Sequence, residues 1–214
     1  MDKDGRPERE QILFIGLNNK KTLVLIGSDQ GFRVVNFLTV EVLVHRQLSG
    51  GIGPIDCLET SNILAMTGGG LYPYYPQNKL IIWDDAAEKI KAEIVFKQDI
   101  NNVKFKYEYL FVLTDYKIYI YSFFENLTLK KEVDTIYNPK GLFETNSLDE
   151  PSYFAHLNYA DEKNTLANKE EGIIWIYNLT DFKHTKFSAH ITSIKCMKFN
   201  YRGNYFATAS EKVV

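Results

Sequence analysis

Cysteine is scarce: Cys57 and Cys196 are the only two in 214 residues. A single pair excludes a disulfide framework and a four-thiolate zinc site, and two buried thiols is the plainer reading. No apolar run approaches the roughly 18 residues of a membrane span. The opening run Met1-Asp2-Lys3-Asp4-Gly5-Arg6-Pro7-Glu8-Arg9-Glu10 is polar and has no apolar h-region, so no secretory signal is expected. The sequons Asn126-Leu127-Thr128 and Asn178-Leu179-Thr180 then read as chance matches. An excess of one charge is also lacking, with 25 Lys and Arg against 27 Asp and Glu, a net charge of −2. That balance argues against a general nucleic-acid surface, and Lys130-Lys131 with Lys89 and Lys91 are too few to form a basic stripe.

The residue patterns of catalysis are missing as well. The four histidines, His45, His156, His184 and His190, include no His-x-x-x-His pair, so no metal is expected. Glycines cluster at Gly50, Gly51 and Gly53 and again at Gly68–Gly70. Neither cluster leads into Gly-Lys-Ser or Gly-Lys-Thr, so a phosphate-cradling loop is not supported. No Gly-x-Ser-x-Gly elbow occurs. Asp84 and Asp85 are neighbours on a strand and point to opposite faces, so they read as turn-shaping residues rather than an acid–base pair. The expectation is a protein that is not an enzyme and carries no cofactor.

Aromatics are plentiful, with 14 Phe and 14 Tyr, and hydrophobic residues make up 45% of the chain, enough for a substantial core. The apolar residues fall in short runs of four to seven, rich in β-branched and aromatic side chains and closed by turn signals such as Asn18-Asn19 and Ser28-Asp29-Gln30-Gly31. No helical period persists, so the chain reads as all-β. The runs come in fours. The first set is Gln11–Gly16, Thr22–Gly27, Gly31–Asn36 and Val40–His45. The second is Pro54–Leu58, Asn62–Thr67, Lys79–Asp84 and Ile90–Phe96. The third is Asn102–Lys106, Tyr109–Thr114, Lys117–Ser122 and Leu127–Val133. The fourth holds Lys140–Thr145, Gly172–Tyr177 and Phe182–Phe187, with its second strand either Ser152–Leu157 or Thr165–Asn168. A fifth begins with Ser193–Phe199 and Tyr205–Ser210.

The third strand of each full set shares a signature: Gly or Lys opens an alternating apolar run. The instances start at Gly31, Lys79, Lys117 and Gly172, spaced 48, 38 and 55 residues apart. That spacing brackets the roughly 40–45 residue blade of a β-propeller. Trp83-Asp84 is the tryptophan–aspartate dipeptide of one propeller class, and Ala189-His190 stands where such repeats place Gly-His. A β-sandwich or barrel is the alternative, but it does not demand matching third strands. The expected fold is an all-β, WD40-like propeller of about four and a half blades, at that repeat length. Blade 1 covers about 10–47, blade 2 about 52–97, blade 3 about 99–134 and blade 4 about 138–188, with an insertion at 146–171; a partial blade 5 covers about 190–214. A blade needs a neighbour on each side, so the chain taken alone is expected to expose apolar faces and strand edges and to be poorly soluble.

Several segments in order carry a family resemblance. They are Gly31-Phe32-Arg33-Val34-Val35-Asn36, Ser49-Gly50-Gly51-Ile52-Gly53, Ser61-Asn62-Ile63-Leu64-Ala65, Thr67-Gly68-Gly69-Gly70 and Tyr75-Pro76-Gln77-Asn78-Lys79-Leu80-Ile81-Ile82-Trp83-Asp84-Asp85. Asn138-Pro139-Lys140-Gly141-Leu142 and Ala207-Thr208-Ala209-Ser210-Glu211-Lys212 follow. Together they resemble the PROPPIN family of seven-bladed, autophagy-related propellers, over about Leu13 to Lys212.

The resemblance implies a non-enzymatic effector of phosphatidylinositol 3-phosphate and 3,5-bisphosphate, cytoplasmic and peripheral at autophagic or endosomal membranes. In the family both lipid pockets use an Arg-Arg pair followed by Gly. No Arg-Arg pair occurs in this sequence, and Val213-Val214 stand where the family continues with Gly-Thr. His190 and Ser210 match two pocket positions. Each also has a plain structural reading, as a histidine bonded within its blade and a strand-end hydroxyl. The resemblance further implies autophagy partners, lipid-transfer proteins among them, docked on blades two and three. The loop Gly68–Asn78 places Leu71, Tyr72, Tyr74 and Tyr75 where no core requires aromatics, which makes them candidate contacts. The plain alternative is a loop folded over its own blade. A protein-interaction scaffold of the WD-repeat type without lipid affinity is the second functional reading.

Overall fold

The computed structural model describes residues 10–124, 126–158 and 172–211. The run up to Arg9, the alternative strand Thr165–Asn168, residues 159–171 of the expected insertion and Lys212 to Val214 lie outside the described residues. No helix is long and apolar enough to cross a membrane among the described residues. The chain forms two compact units, Met1–Val103 and Lys104–Val214.

In the first unit, β1 (Ile12–Leu17), β2 (Leu23–Ser28), β3 (Gly31–Asn36) and β4 (Val42–Gln47) make one antiparallel sheet in chain order. A second sheet is built the same way from β5 (Ile52–Cys57), β6 (Ile63–Gly68), β7 (Lys79–Asp84) and β8 (Lys89–Val95). Side chains alternate faces along a strand. Leu23, Leu25, Phe32 and Val34 of the first sheet therefore meet Ile52, Ile55, Cys57, Leu64, Met66 and Ile81 of the second in one buried cluster. β4 begins at Val42 rather than Val40. The Asn36 side-chain oxygen accepts the Leu38 and Thr39 N–H groups, and Val40 takes a positive φ of 58°, which the turn imposes and a strand forbids.

A polar clasp joins the same two sheets at their outer ends. Arg46 donates from Nε and Nη2 to the two carboxylate oxygens of Asp85, at 2.8 and 3.1 Å, and pairs with Glu88 at 2.9 Å. The Trp83 indole N–H also donates to Asp85, at 3.2 Å. Asp84 shapes the turn, accepting the Ala87 N–H at 3.1 Å and the Asn62 amide. Asp85 thus acts across sheets instead of within its turn, as a fork–fork guanidinium–carboxylate pair.

At the opposite end of these sheets the two glycine clusters meet. A Cβ on Gly51 would lie 2.3 Å from the Gly69 carbonyl oxygen, and one on Gly69 would lie 2.5 Å from Gly53 Cα. Only hydrogen fits where two backbones run this close. The contact lets Gly51 accept the N–H of Gly69 (3.1 Å) and of Tyr74 (2.9 Å), while its own N–H donates to Tyr72 O at 2.8 Å. The Thr67 hydroxyl donates to the Pro76 and Gln77 carbonyls at 3.2 and 2.9 Å and closes the loop base.

The second unit holds three sheets, the first of which starts two residues before its boundary. β9 (Asn102–Lys106), β10 (Tyr109–Leu113), β11 (Lys117–Ser122) and β12 (Thr128–Asp134) form the first. β13 (Phe143–Thr145), β14 (Tyr153–Leu157), β15 (Ile173–Asn178) and β16 (His184–Ser188) form the second. β17 (Ile194–Phe199) and β18 (Phe206–Ser210) form a two-stranded third. The segment 146–171 is not simply an insertion, because it contains β14, the second strand of its sheet. The residues before β14 look turn-like because they are a loop, held by the Asn146 side chain to Leu148 O, Pro151 O and Tyr153 N.

The β13–β16 sheet is apolar on both faces. Phe154, Trp175 and Tyr177 pack with Phe111, Leu113, Ile118 and Ile120 of the first sheet. Ala155, Leu157 and Ile174, one residue out of phase, pack with Ile194, Met197 and Phe199 of the third. Both neighbours are therefore needed to remove this sheet from water. Among the described residues of the unit one cation is fully buried: the Lys106 Nζ donates to the carbonyls of Asn146 at 2.9 Å and Leu148 at 2.6 Å.

Two stability predictions follow from these contacts. Lys106→Ala leaves two buried carbonyls without this donor and should cost about 1–3 kcal/mol, read as a lowered urea midpoint that the exposed Lys140→Ala does not share. Gly51→Ala forces two backbones apart and should cost about 1–3 kcal/mol. Limited proteolysis should then cut within 70–75 faster than in the wild type.

Candidate functional site

Two places hold the residues singled out by sequence. The first lies around β17 and β18. Gly172, at φ +105°, accepts the backbone N–H groups of Ala189 and His190 at 2.9 and 3.4 Å. A Cβ there would lie 2.1 Å from the His190 carbonyl oxygen, so the glycine that opens β15 is also what seats His190. The half-buried His190 ring reaches β18, its Nε2 2.9 Å from the Thr208 hydroxyl. Ser210 ends the same strand opposite Ile194, and the Glu211 N–H donates to Ser193 O at 3.1 Å.

Thr208 and Ser210 are two residues apart on a strand, so both hydroxyls lie on one face, the half-buried one. The fold thus gathers an imidazole and two hydroxyls along β18. Thr208 was not singled out from sequence; the two-residue spacing to Ser210 was the available signal. These groups can orient an anion through neutral hydrogen bonds. They lack the bidentate charge-assisted donation of a guanidinium. Lys195, at the same strand end, pairs with Glu211 at 3.2 Å.

The second place is the β6–β7 loop, and it divides the four residues singled out there. Leu71 and Tyr72 stand away from the protein, 84% and 79% exposed. Tyr74 is 42% exposed and meets the Tyr75 ring edge-on, with centroids 4.8 Å apart. Tyr75 turns inward against the cluster between the two sheets, and burial raises its phenol pKa above the ordinary value. Tyr75 therefore anchors the loop while Leu71 and Tyr72 form its tip. The tip is held by the Gly51 hydrogen bonds and by a parallel bridge between Gly51 and Pro73. From sequence the three tyrosines look alike; which one faces the core depends on the glycine contact some twenty residues upstream in the chain.

A cavity of about 350 Å³ opens at the far end of the first unit, lined by Leu23, Val34, Leu43, Val44 and Leu64 with Asn36, Ser61 and Asp85 at its polar side. The Cys57 thiol lines it too, donating to Ser61 O at 3.2 Å and pushed up to about 12 by burial, which makes it unreactive. No group of three or more His, Cys, Asp or Glu side chains that could hold a metal ion occurs among the described residues.

No family model matches the chain. Among curated relatives, SVP1-like protein 2 of Schizosaccharomyces pombe is 33% identical over 129 residues, 60% of this chain and 35% of that protein. SVP1-like protein 2 of Pichia angusta is 28% identical over 213 residues, 96% of this chain and 56% of the relative. Autophagy-related protein 18e of Arabidopsis thaliana is 27% identical over 209 residues, 94% and 52% of the two chains. This chain thus spans about half the length of the relatives it matches along its whole extent.

Among solved structures, Kluyveromyces lactis Hsv2 matches with a TM-score of 0.74 at 17% identity, over 95% of this chain and 58% of that one. KlAtg21, solved in complex with the coiled coil of AgAtg16, matches with a TM-score of 0.79 at 17% identity, over 94% and 63%. The structural matches establish the propeller fold. The relatives matched by sequence along its length make the chain similar to the SVP1-like and autophagy-related 18 proteins, in line with its resemblance to the PROPPIN family of β-propellers.

Proposed function

We propose that the chain is part of a non-enzymatic adaptor that brings autophagy proteins to membranes carrying phosphatidylinositol 3-phosphate or 3,5-bisphosphate. It would work in the cytoplasm, peripherally at autophagic or endosomal membranes. The observation that carries the adaptor role is the β6–β7 loop. A leucine and a tyrosine are displayed to solvent on a loop fixed by backbone bonds to Gly51, so little ordering entropy is left to lose on binding. KlAtg21 was solved with a coiled coil of AgAtg16, which makes an autophagy coiled coil a sound first partner to test beside lipid-transfer proteins.

The lipid part rests on His190, Thr208 and Ser210 along β18. The WD-type scaffold without lipid affinity is favoured by one specific observation: His190 already bonds within its own sheet pair.

Vesicle flotation separates the two. The chain should float with phosphatidylcholine vesicles only when phosphatidylinositol 3-phosphate is present, and His190→Ala should weaken this about tenfold or more, as loss of a hydrogen bond to a charged group does. Equal flotation with and without the phosphoinositide leaves the scaffold reading. Changing Leu71→Ser and Tyr72→Ala together should leave flotation intact and weaken capture of an Atg16-type coiled coil by about 30-fold, the effect of losing a hot spot. Unchanged capture removes the loop as the docking surface.

A further inference from the structure

The proposed function leaves two histidines of the second unit unused, His156 and His184, and only the first lies in the core. His156, on β14, is fully buried. Its Nδ1 lies 2.9 Å from the Leu157 carbonyl oxygen. A carbonyl only accepts, so Nδ1 carries the proton and Nε2 is left as the bare acceptor. Nε2 is buried and has no hydrogen-bond partner among the described residues. The ring stacks on Phe154 and Tyr177, with centroids at 5.8 and 5.6 Å, and tilts against Trp175 at 6.3 Å.

The histidine sits on a seam. The Leu157 carbonyl that takes its proton also accepts the Thr135 hydroxyl at 2.6 Å, from the segment after β12. The Asn158 amide donates to Asp134 O at 2.9 Å across the same line. The end of β14 is thereby tied to the end of β12, sheet to sheet.

The charges around the stack are mostly positive. His184 lies parallel on Trp175 at 4.2 Å, and Lys186, also on β16, sits 5.8 Å from the Trp175 centroid. Lys131 of β12 sits 5.2 Å from the Tyr177 centroid. The Asp134 carboxylate is engaged by Lys117 at 3.1 Å and is largely solvent-facing. The influences on the His156 imidazole are burial first, then the Leu157 carbonyl and the field of His184. A second proton on the His156 ring would create an N–H with nothing among the described residues to accept it, in an apolar pocket walled by Phe154, Trp175 and Tyr177.

We propose that the seam between the β9–β12 and β13–β16 sheets is an acid-released latch, with His156 as its trigger. Above the ordinary histidine value the neutral ring completes the seam. In acid the charged ring is accommodated only by reaching water, which requires the end of β14 to part from Thr135. Burial holds His156 down to about 4, against an ordinary 6.5. The sign follows: a depressed value means the open state binds the proton first, so closure is at full strength above pH 6.5 and weakens as pH falls toward 4.

Hydrogen exchange, corrected for intrinsic rates, tests this on the full chain. Between pH 7.5 and 5.0 the opening constant for amides of β14 and of 135–138 should rise about 30-fold, from linkage between those two values. Protection of β2 and β3 should not change. His156→Gln, which keeps a donor for Leu157 O but does not titrate, should abolish the rise, and His184→Gln should keep it. The same rise in His156→Gln overturns the proposal. A wild-type His156 ring proton titrating near 6.5 by NMR overturns it as well, and that measurement decides the matter should the variant not fold.

Discussion

Burial of both faces of a sheet is the constraint on which the rest depends. In β14 the order Phe154-Ala155-His156-Leu157 sends alternate side chains to opposite neighbours, and both sides are closed. Fully burying one large apolar side chain is worth about 1.5–3 kcal/mol, whereas a hydrogen bond nets about 1 kcal/mol. The apolar faces therefore drive the sheets together. The polar contacts along their margins, Thr135 to Leu157 and Arg46 to Asp85, fix how they meet. Those margins are also where titratable groups lie, which is why a stacking arrangement built on hydrophobicity has its chemical sensitivity at the edges.

A second constraint is the distance between backbones. Where Gly51 and Gly69 touch, side chains are excluded and main-chain groups bond directly. The loop beyond is then determined by its base. Tyr75 enters the core, and Leu71 and Tyr72 are left outside on a fixed frame. A glycine cluster that in sequence could be mistaken for a phosphate cradle proves to be the hinge-free mount of an apolar tip. The same logic recurs at Gly172, where a missing Cβ admits the His190 backbone and brings its ring to Thr208.

Much of the fold was legible because strand alternation and turn chemistry are local. Gly31–Asn36, Lys79–Asp84 and Lys117–Ser122 coincide with β3, β7 and β11, and Gly172–Tyr177 is one residue out from β15, since each is a short, largely apolar run bounded by turn residues. β14 was harder: its approach, Asn146 to Ser152, is mostly polar and turn-forming, and the buried Lys106 that holds it is forty residues away. At the sites, His190, Ser210 and the loop aromatics were visible as residue types. Thr208 as the partner of His190, the inward turn of Tyr75 and the clasp role of Asp85 were not. Each depends on a contact between segments far apart in the chain.

The sequence by itself determined most of the strands, their grouping in fours and the need to cover their faces, because these follow from side-chain alternation and turn preferences acting over a few residues. The tertiary structure decided which tyrosine is displayed, which aspartate bridges two sheets and which histidine is left with a bare buried nitrogen. Those outcomes depend on where a second sheet comes to rest, and burial, dielectric environment and hydrogen-bond partners are properties of that meeting rather than of either segment alone.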